Sequence, residues 1–314
     1  MSMSTSHAEH PGLGPPQVHE VADGVFAYVQ PDGSWWINNA GFVAGSRTVV
    51  SIDTCSTERR TRAYLQKVEE LTGQVPRTLV NTHHHGDHTN GNCFLPYSTV
   101  IAHDRCREEM LRTGINHYEG LFEPVDWGDL ELSPPFVTFD SRLNIYVDNR
   151  RMELIHLTEA AHTTNDLVVF LPDDGVLFTG DLVFNGGTPF VVMGSVAGSL
   201  EALALIGELE PKVIVPGHGV PCGLEAVDRC ARYLRWIQDN ASQAIAAGLT
   251  PLEAARQLDL GEFEELLDPE RLAGNLHRAF AECRGVPPGD PIDLITAFSD
   301  MLTLNGGKPL RCMA

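Results

Sequence analysis

Apolar residues fall in short runs between turn residues over the first two-thirds of the chain, and at helical spacing over the last third. Residues 21–30 read as a turn leading into a strand. Residues 35–44 and 48–53 follow across turns at Pro31-Asp32-Gly33-Ser34 and Gly45-Ser46-Arg47, the pattern of antiparallel strands opening a sheet. Residues 58–71 are amphipathic with a helical period and stop at Thr72-Gly73, which predicts a helix with a glycine C-cap. Further strands are predicted at 78–80, 99–102, 137–139, 143–147, 152–157, 167–171, 176–179 and 213–215. A helix over 104–112 starts after His103, and another runs to Leu209 with Ser199 as its N-cap. Residues 113–135 carry Gly114, Gly120, Pro124, Gly128, Pro134 and Pro135, and read as a loop-rich insertion bearing His117, Tyr118, Phe122 and Trp127.

After Cys222 the texture becomes helical: residues 224–247, then a fresh start at Thr250-Pro251, then 268–283 and 291–304. The organisation expected is a leader over 1–19, disordered and rich in Ser, His, Pro and Gly, a core over 20–222, and a helical extension over 223–314. The extension is expected either to roof a pocket or to pair two subunits as a homodimer. No internal repeat is present.

At 314 residues the chain can bury a large core. No apolar run approaches the roughly 20 residues a membrane helix needs, and the leader lacks the basic and apolar regions of a secretion signal. Seven cysteines without a C-x-x-C pair fit reduced thiols and a cytoplasmic location. A formal net charge of −20 repels phosphates, so a nucleic-acid partner is not expected. The expected partner is a small molecule.

The chemistry concentrates in Thr82-His83-His84-His85-Gly86-Asp87-His88, directly after the strand predicted at 78–80. His83, His85, Asp87 and His88 would scatter around a regular helix, so their convergence requires an irregular loop at a strand end. Imidazole and carboxylate donors without thiolate suit zinc first, then iron or manganese. His84, between two ligands, is aimed away from them, and Cys93 is read as a small core residue.

The H-x-H-x-D-H loop after a strand resembles the signature of the metallo-β-lactamase superfamily, and residues 82–88 are especially similar to glyoxalase II. His162 in Ala161-His162-Thr163, Asp181 in Thr179-Gly180-Asp181, and His218 in Pro216-Gly217-His218-Gly219 follow in the family's order. The resemblance spans about residues 20–222. It implies an α/β (α+β) fold, an αββα sandwich with the helical extension added, and two metals at one sheet edge. His83, His85 and His162 would hold the first metal, Asp87, His88 and His218 the second, with Asp181 bridging. Asp53 matches the strand-end carboxylate that orients a ligand histidine in that family. Asp87 and Asp181 are the residues assigned to catalysis.

Such a site, with two zinc ions, implies hydrolysis of a small ester, thioester or lactone by a hydroxide held between the metals. Trp35, Trp36, Phe184, Phe190 and Met193 are expected to wall the pocket, and their apolar character points to a hydrophobic substrate. No arginine or lysine clamp is evident in the core loops. Aspartate at position 181 departs from the β-lactamases proper, and the basic glutathione-binding cluster of glyoxalase II is not recognisable after residue 222. A β-lactam hydrolase and a mononuclear-iron persulfide dioxygenase remain as alternatives.

Overall fold

A computed structural model describes residues 13–314. Twelve strands and eight α-helices are assigned among them. The strands are β1 (Gln17–Ala22), β2 (Val25–Val29), β3 (Ala40–Ala44), β4 (Val49–Ile52), β5 (Thr78–Val80), β6 (Thr99–His103), β7 (Val137–Phe139), β8 (Arg142–Val147), β9 (Arg150–His156), β10 (Leu167–Leu171), β11 (Val176–Phe184) and β12 (Val213–His218). The helices are α1 (Glu58–Thr72), α2 (Gly86–Thr89), α3 (Asp104–Thr113), α4 (Val196–Glu208), α5 (Leu224–Ala246), α6 (Pro251–Gln257), α7 (Arg271–Cys283) and α8 (Leu294–Leu304).

One sheet runs in the order β1-β2-β3-β4-β5-β6-β7 and the other in the order β12-β11-β10-β9-β8. Period-2 alternation explains how they stack. On β10, Leu167, Val169 and Leu171 enter a core shared with Val25, Val43, Val50 and Val80 of the first sheet. Val168, between them, faces the other way, into a core built with α4, α5 and α7. Across the first sheet, Val25 and Ala27 face the inter-sheet core, whereas Tyr28 and Phe42 pack on Tyr64 and Val68 of α1. Each large aliphatic side chain sealed in this way contributes about 1.5–3 kcal/mol. The layers are therefore helix, sheet, sheet, helix, as expected.

Several boundaries differ from the sequence reading. The first sheet begins at Gln17, paired with Val29, inside the stretch taken as leader; residues 1–12 lie outside the described residues. β11 continues past Thr179 to Phe184, so Asp181 sits within a strand whose register against β12 shifts around Gly180. The N-cap of α4 is Ser195, not Ser199: its hydroxyl accepts the Gly198 amide at 3.0 Å. Gly198, which an N-cap at Ser199 would leave outside the helix, lies inside it at a close-packing position: a Cβ there would stand 1.7 Å from the Ala160 carbonyl. Thr250 forms a complete capping box with Glu253, as its sequence suggests.

The helical extension does not stand apart from the core. Val227, Leu234 and Ile237 of α5 and Leu272, Leu276 and Phe280 of α7 share one buried cluster with β10, β11 and β12. The C-terminal segment then returns to the insertion: Leu310 donates its amide to the Leu121 carbonyl at 2.8 Å and accepts from Glu123 at 2.9 Å. Among the described residues, no helix is long and apolar enough to cross a membrane.

Candidate metal centre

Four chain segments deliver the site, three from strand ends or the loops beside them and one from within β11, next to its register shift. β5 leads into His83, His85, Asp87 and His88, with the last two on the single turn of α2. His162 lies in the loop before β10, Asp181 on β11 and His218 at the end of β12. Gly217 makes this convergence feasible, because a Cβ there would lie 1.9 Å from Asp181 Oδ1.

The seven side chains form two clusters that share Asp181. In one, His83, His85, His162 and Asp181 bring ligand atoms within 4.8 Å of one another; in the other, Asp87, His88, Asp181 and His218 do the same. His85 Nδ1 lies 3.2 Å from His83 Nε2 and 2.8 Å from His162 Nε2, which in turn is 3.4 Å from Asp181 Oδ2. In the second cluster, His218 Nε2 is 3.3 Å from both Asp87 Oδ2 and Asp181 Oδ2. Ligands around a tetrahedral ion with bonds of ~2.05 Å stand about 3.3 Å apart, and the observed separations bracket that edge. His88 Nε2 and Asp181 Oδ1 are 3.0 Å apart, yet both are buried without a hydrogen-bond partner. Converging lone pairs and orphaned polar atoms are what a cation between them resolves, so the residues present fit a pair of metal ions.

The outward ring nitrogens are held as well. His88 Nδ1 donates to Asp53 Oδ2 at 2.8 Å, and Asp53 also accepts the Thr82 amide at 2.7 Å and the Thr82 hydroxyl at 2.8 Å. Asp53 therefore has the orienting position expected of it. His162 Nδ1 donates to the Phe190 carbonyl at 2.5 Å, and His218 Nδ1 to the Gly33 carbonyl at 3.1 Å. These bonds fix the tautomer that leaves Nε2 free for a metal. His84 stands apart from the clusters, bound through both its amide and its ring to Asn165 at 3.0 Å. Cys93 is half-buried and donates to the Asn90 carbonyl; it belongs to neither cluster.

Electrostatics without metal divides the histidines. Burial holds His83 and His85 well below the ordinary imidazole range, helped by neighbouring imidazoles. Burial also works against charge on His218, but Asp181 and Asp87 outweigh it and raise its pKa to about 9. His88 is likewise raised against its burial by Asp181, Asp87 and Asp53. Asp181 is held well below the usual carboxylate range: burial opposes this, and His218, His88 and His162 overcome it. The second cluster is thus a proton-stabilised ion-pair network that metal would replace.

The clusters form the floor of a cavity of ≈ 550 Å³. All five residues expected as walls, Trp35, Trp36, Phe184, Phe190 and Met193, line it. Trp35 packs edge-on against Phe122 and Phe190 at 5.3 and 5.0 Å, and its indole donates to Glu270 at 2.6 Å. Trp36 packs against Trp127 at 4.7 Å and adopts a positive φ of 65°. Of the two roles expected of the extension, roofing a pocket is the one the lining supports: it supplies Ile292, Leu294 and Phe298. The sequence reading missed the cations: Arg112, Arg271 and Arg278 line the cavity, two of them on α7. Arg271 stacks over Trp35 at 4.0 Å while bonding Asp268 at 2.8 Å. Nothing local in the sequence marks Arg271 for this place, more than 200 positions from Trp35.

Comparison with known proteins agrees with this geometry. The family model of the metallo-beta-lactamase superfamily matches residues 33–218. The alpha subunit of a 2,4-dinitroanisole O-demethylase from Nocardioides sp. (strain JS1661) is 26% identical over 193 residues, 59% of this chain and 54% of the relative. A hydroxyacylglutathione hydrolase from Brucella anthropi is 26% identical over 213 residues, 66% of this chain and 70% of the relative. The chain thus spans about half the length of the demethylase subunit. Among solved structures, a metallo-beta-lactamase from Pontibacter korlensis superposes with a TM-score of 0.60 at 18% identity, covering 70% of this chain and 99% of that one. With the matched segment running from the wall of the cavity to the last histidine of its floor, the chain belongs to the metallo-beta-lactamase superfamily.

Proposed function

We propose that the protein is a dinuclear metal-dependent hydrolase of a small hydrophobic ester, thioester or lactone, with zinc as its native metal. The observation that carries this reading is the pair of buried clusters sharing Asp181 at the floor of an aromatic cavity. Two zinc ions held there would supply a hydroxide nucleophile at neutral pH and polarise a carbonyl oxygen. Asp181 belongs to both clusters, so its single charge would serve both ions and offset their repulsion. Asp87, its Oδ2 at 3.3 Å from His218 Nε2, stands at the cavity face where it can orient the nucleophile.

The walls support a hydrophobic substrate. Burying about 150 Å² of apolar surface against Trp35, Phe122, Phe190 and Met193 would contribute about 4 kcal/mol to capture. The arginines in the lining do not form an anion clamp: Arg271 is paired with Asp268, Arg112 with Glu109, and Arg278 with the Val192 and Asp290 carbonyls. A phosphodiester would meet cations whose donors are already engaged, in a chain of net charge −20.

The relatives named above differ in substrate, so the carbonyl class rests on the cavity and the donor set. A mononuclear-iron persulfide dioxygenase would use the first cluster alone. The second, equally buried cluster favours the dinuclear reading.

The test is a hydrolysis screen of aryl and alkyl esters, thioesters, lactones, β-lactams and phosphodiesters on protein with measured metal content. Turnover of neutral hydrophobic thioesters or lactones well above any phosphodiesterase activity is expected, with about two metals per chain. A preference for phosphodiesters, or one iron per fully loaded chain, refutes the assignment.

A further inference from the structure

Tyr118 belongs to the 113–135 insertion, and three observations set it apart. Its side chain lines the same cavity as the metal clusters, and its hydroxyl, which no protein group among the described residues hydrogen-bonds, is not sealed off from that cavity. Tyr64 and Tyr233, which are fully buried, both satisfy theirs, with the Gly41 carbonyl at 2.6 Å and Asn275 at 3.1 Å. Tyr118 is only half-buried, so a ligand oxygen in the cavity can take the place of water as its partner.

The second observation is strain. Tyr118 has a φ of 49°, a left-handed conformation that a bulky side chain adopts only when its surroundings impose it. Those surroundings are fixed. Its amide donates to Asn116 Oδ1 at 2.9 Å, and its carbonyl accepts from Leu121 at 2.9 Å. Leu121 and Glu123 are in turn bonded to Leu310 of the C-terminal segment, and the tyrosine ring meets Phe298 of α8 edge-on at 5.5 Å.

The third is the hydroxyl's electrostatic setting. Burial and the carboxylate of Asp87 push the phenol up to about 12, with Arg112 pulling weakly the other way. The group is consequently a neutral O–H donor throughout the physiological range, within reach of the charge on a residue at the cavity floor. The hydroxyl shares the cavity with Trp36, Phe122, Leu294 and Phe298, so the acceptor it suits is an uncharged oxygen on an otherwise apolar ligand.

We propose that Tyr118 is a substrate-recognition residue whose hydroxyl donates a hydrogen bond to an uncharged acceptor oxygen, a carbonyl for preference, on an otherwise apolar ligand. The insertion and the C-terminal extension then share one purpose: the second holds the first so that this donor stands over the metal centre. The choice of a carbonyl rests on the hydrolase reading above; the donor itself does not.

The test uses zinc-loaded full-length protein and two probes without a leaving group. 4-Fluoroacetophenone carries the acceptor, and 1-ethyl-4-fluorobenzene has nearly the same shape without it. Binding of each is followed by fluorine NMR to the wild type and to Tyr118→Phe, which keeps the ring and its contact with Phe298. Loss of one neutral hydrogen bond predicts about a 3–10-fold weaker ketone complex in the variant, with the hydrocarbon unchanged within twofold. Equal losses for both probes would make Tyr118 a packing residue and overturn the proposal. So would unchanged ketone affinity, or no ketone binding to the wild type.

In the parallel hydrolysis screen, Tyr118→Phe is expected to raise KM for esters with little change in kcat. Ketone discrimination without any ester turnover by the wild type would retire the hydrolase reading and leave the recognition role standing. Ester turnover without ketone discrimination would do the reverse.

Discussion

Replacing Asp53 by asparagine tests how far the metal centre depends on a residue that cannot itself reach a metal. Asn tolerates the positive φ of 57° at this position, so the backbone is preserved. The carboxylate accepts three bonds: Thr82 N–H at 2.7 Å on Oδ1, and Thr82 O–H and His88 Nδ1–H at 2.8 Å on Oδ2. An amide cannot accept all three. If its oxygen stays on the Thr82 amide, its NH₂ faces His88 Nδ1, and His88 must move its proton to Nε2. That nitrogen then points an N–H, not a lone pair, into the second cluster. If the amide flips, its side-chain NH₂ faces the Thr82 backbone N–H, two donors opposed in a buried site, at a cost of about 1–3 kcal/mol. Loss of such an orienting partner typically lowers metal affinity about 10–100-fold, or ~1.4–2.8 kcal/mol. The weakening is expected chiefly at the site of Asp87, His88 and His218, and less at that of His83, His85 and His162. Zinc titration against a chromophoric chelator, resolving two steps, measures both. Two affinities within twofold of wild type, at unchanged thermal stability, would refute the reasoning.

Asp181→Ala removes the oxygens that both clusters share, so metal content should fall toward one or fewer per chain, with activity lost; full occupancy by elemental analysis would overturn the ligand assignment. The metal-free protein should lose stability between pH 6.5 and 9. His218 has a folded pKa of about 9, above its unfolded value, so its contribution is complete below about 6.5 and disappears as pH rises through 9; the gap corresponds to about 3 kcal/mol. Thermal denaturation of chelated and zinc-loaded protein over that range should show the fall only in the former, and a flat profile for chelated protein would contradict it. Ending the chain at Gly223 strips α5 and α7 from the faces of β10, β11 and β12, exposing Val168, Leu177 and Ile214, so such a chain should aggregate rather than bind two metals. A soluble, metal-loaded fragment recovered by gel filtration would show that the extension is dispensable for folding.

Much of the molecule was determined by the sequence alone, where the cause is local. A short continuous apolar run such as residues 167–171, bounded by turn residues, specifies a strand buried on both faces. Gly73 and the Thr250–Glu253 capping box place helix ends through bonds spanning a few residues. The ligand-rich loop at His83–His88, and the later His162, Asp181 and His218, were legible because metal chemistry restricts the residue types and strand ends restrict their place.

What only the tertiary structure decided depends on atoms distant in sequence or on the backbone itself. The Phe190 and Gly33 carbonyls that orient His162 and His218 carry no side-chain signature. An N-cap at Ser199 leaves Gly198 outside the helix, because the carbonyl of Ala160, which demands a glycine inside α4, comes from another segment. The helical pattern after Cys222 is compatible with an appendage, a lid or a dimer interface. Its role in lining the cavity follows from where Arg271 meets Trp35 and Phe184 and where Phe298 meets Tyr118. Periodicity specifies that a helix has an apolar face, but the surface that face covers is chosen by the packing of the whole chain.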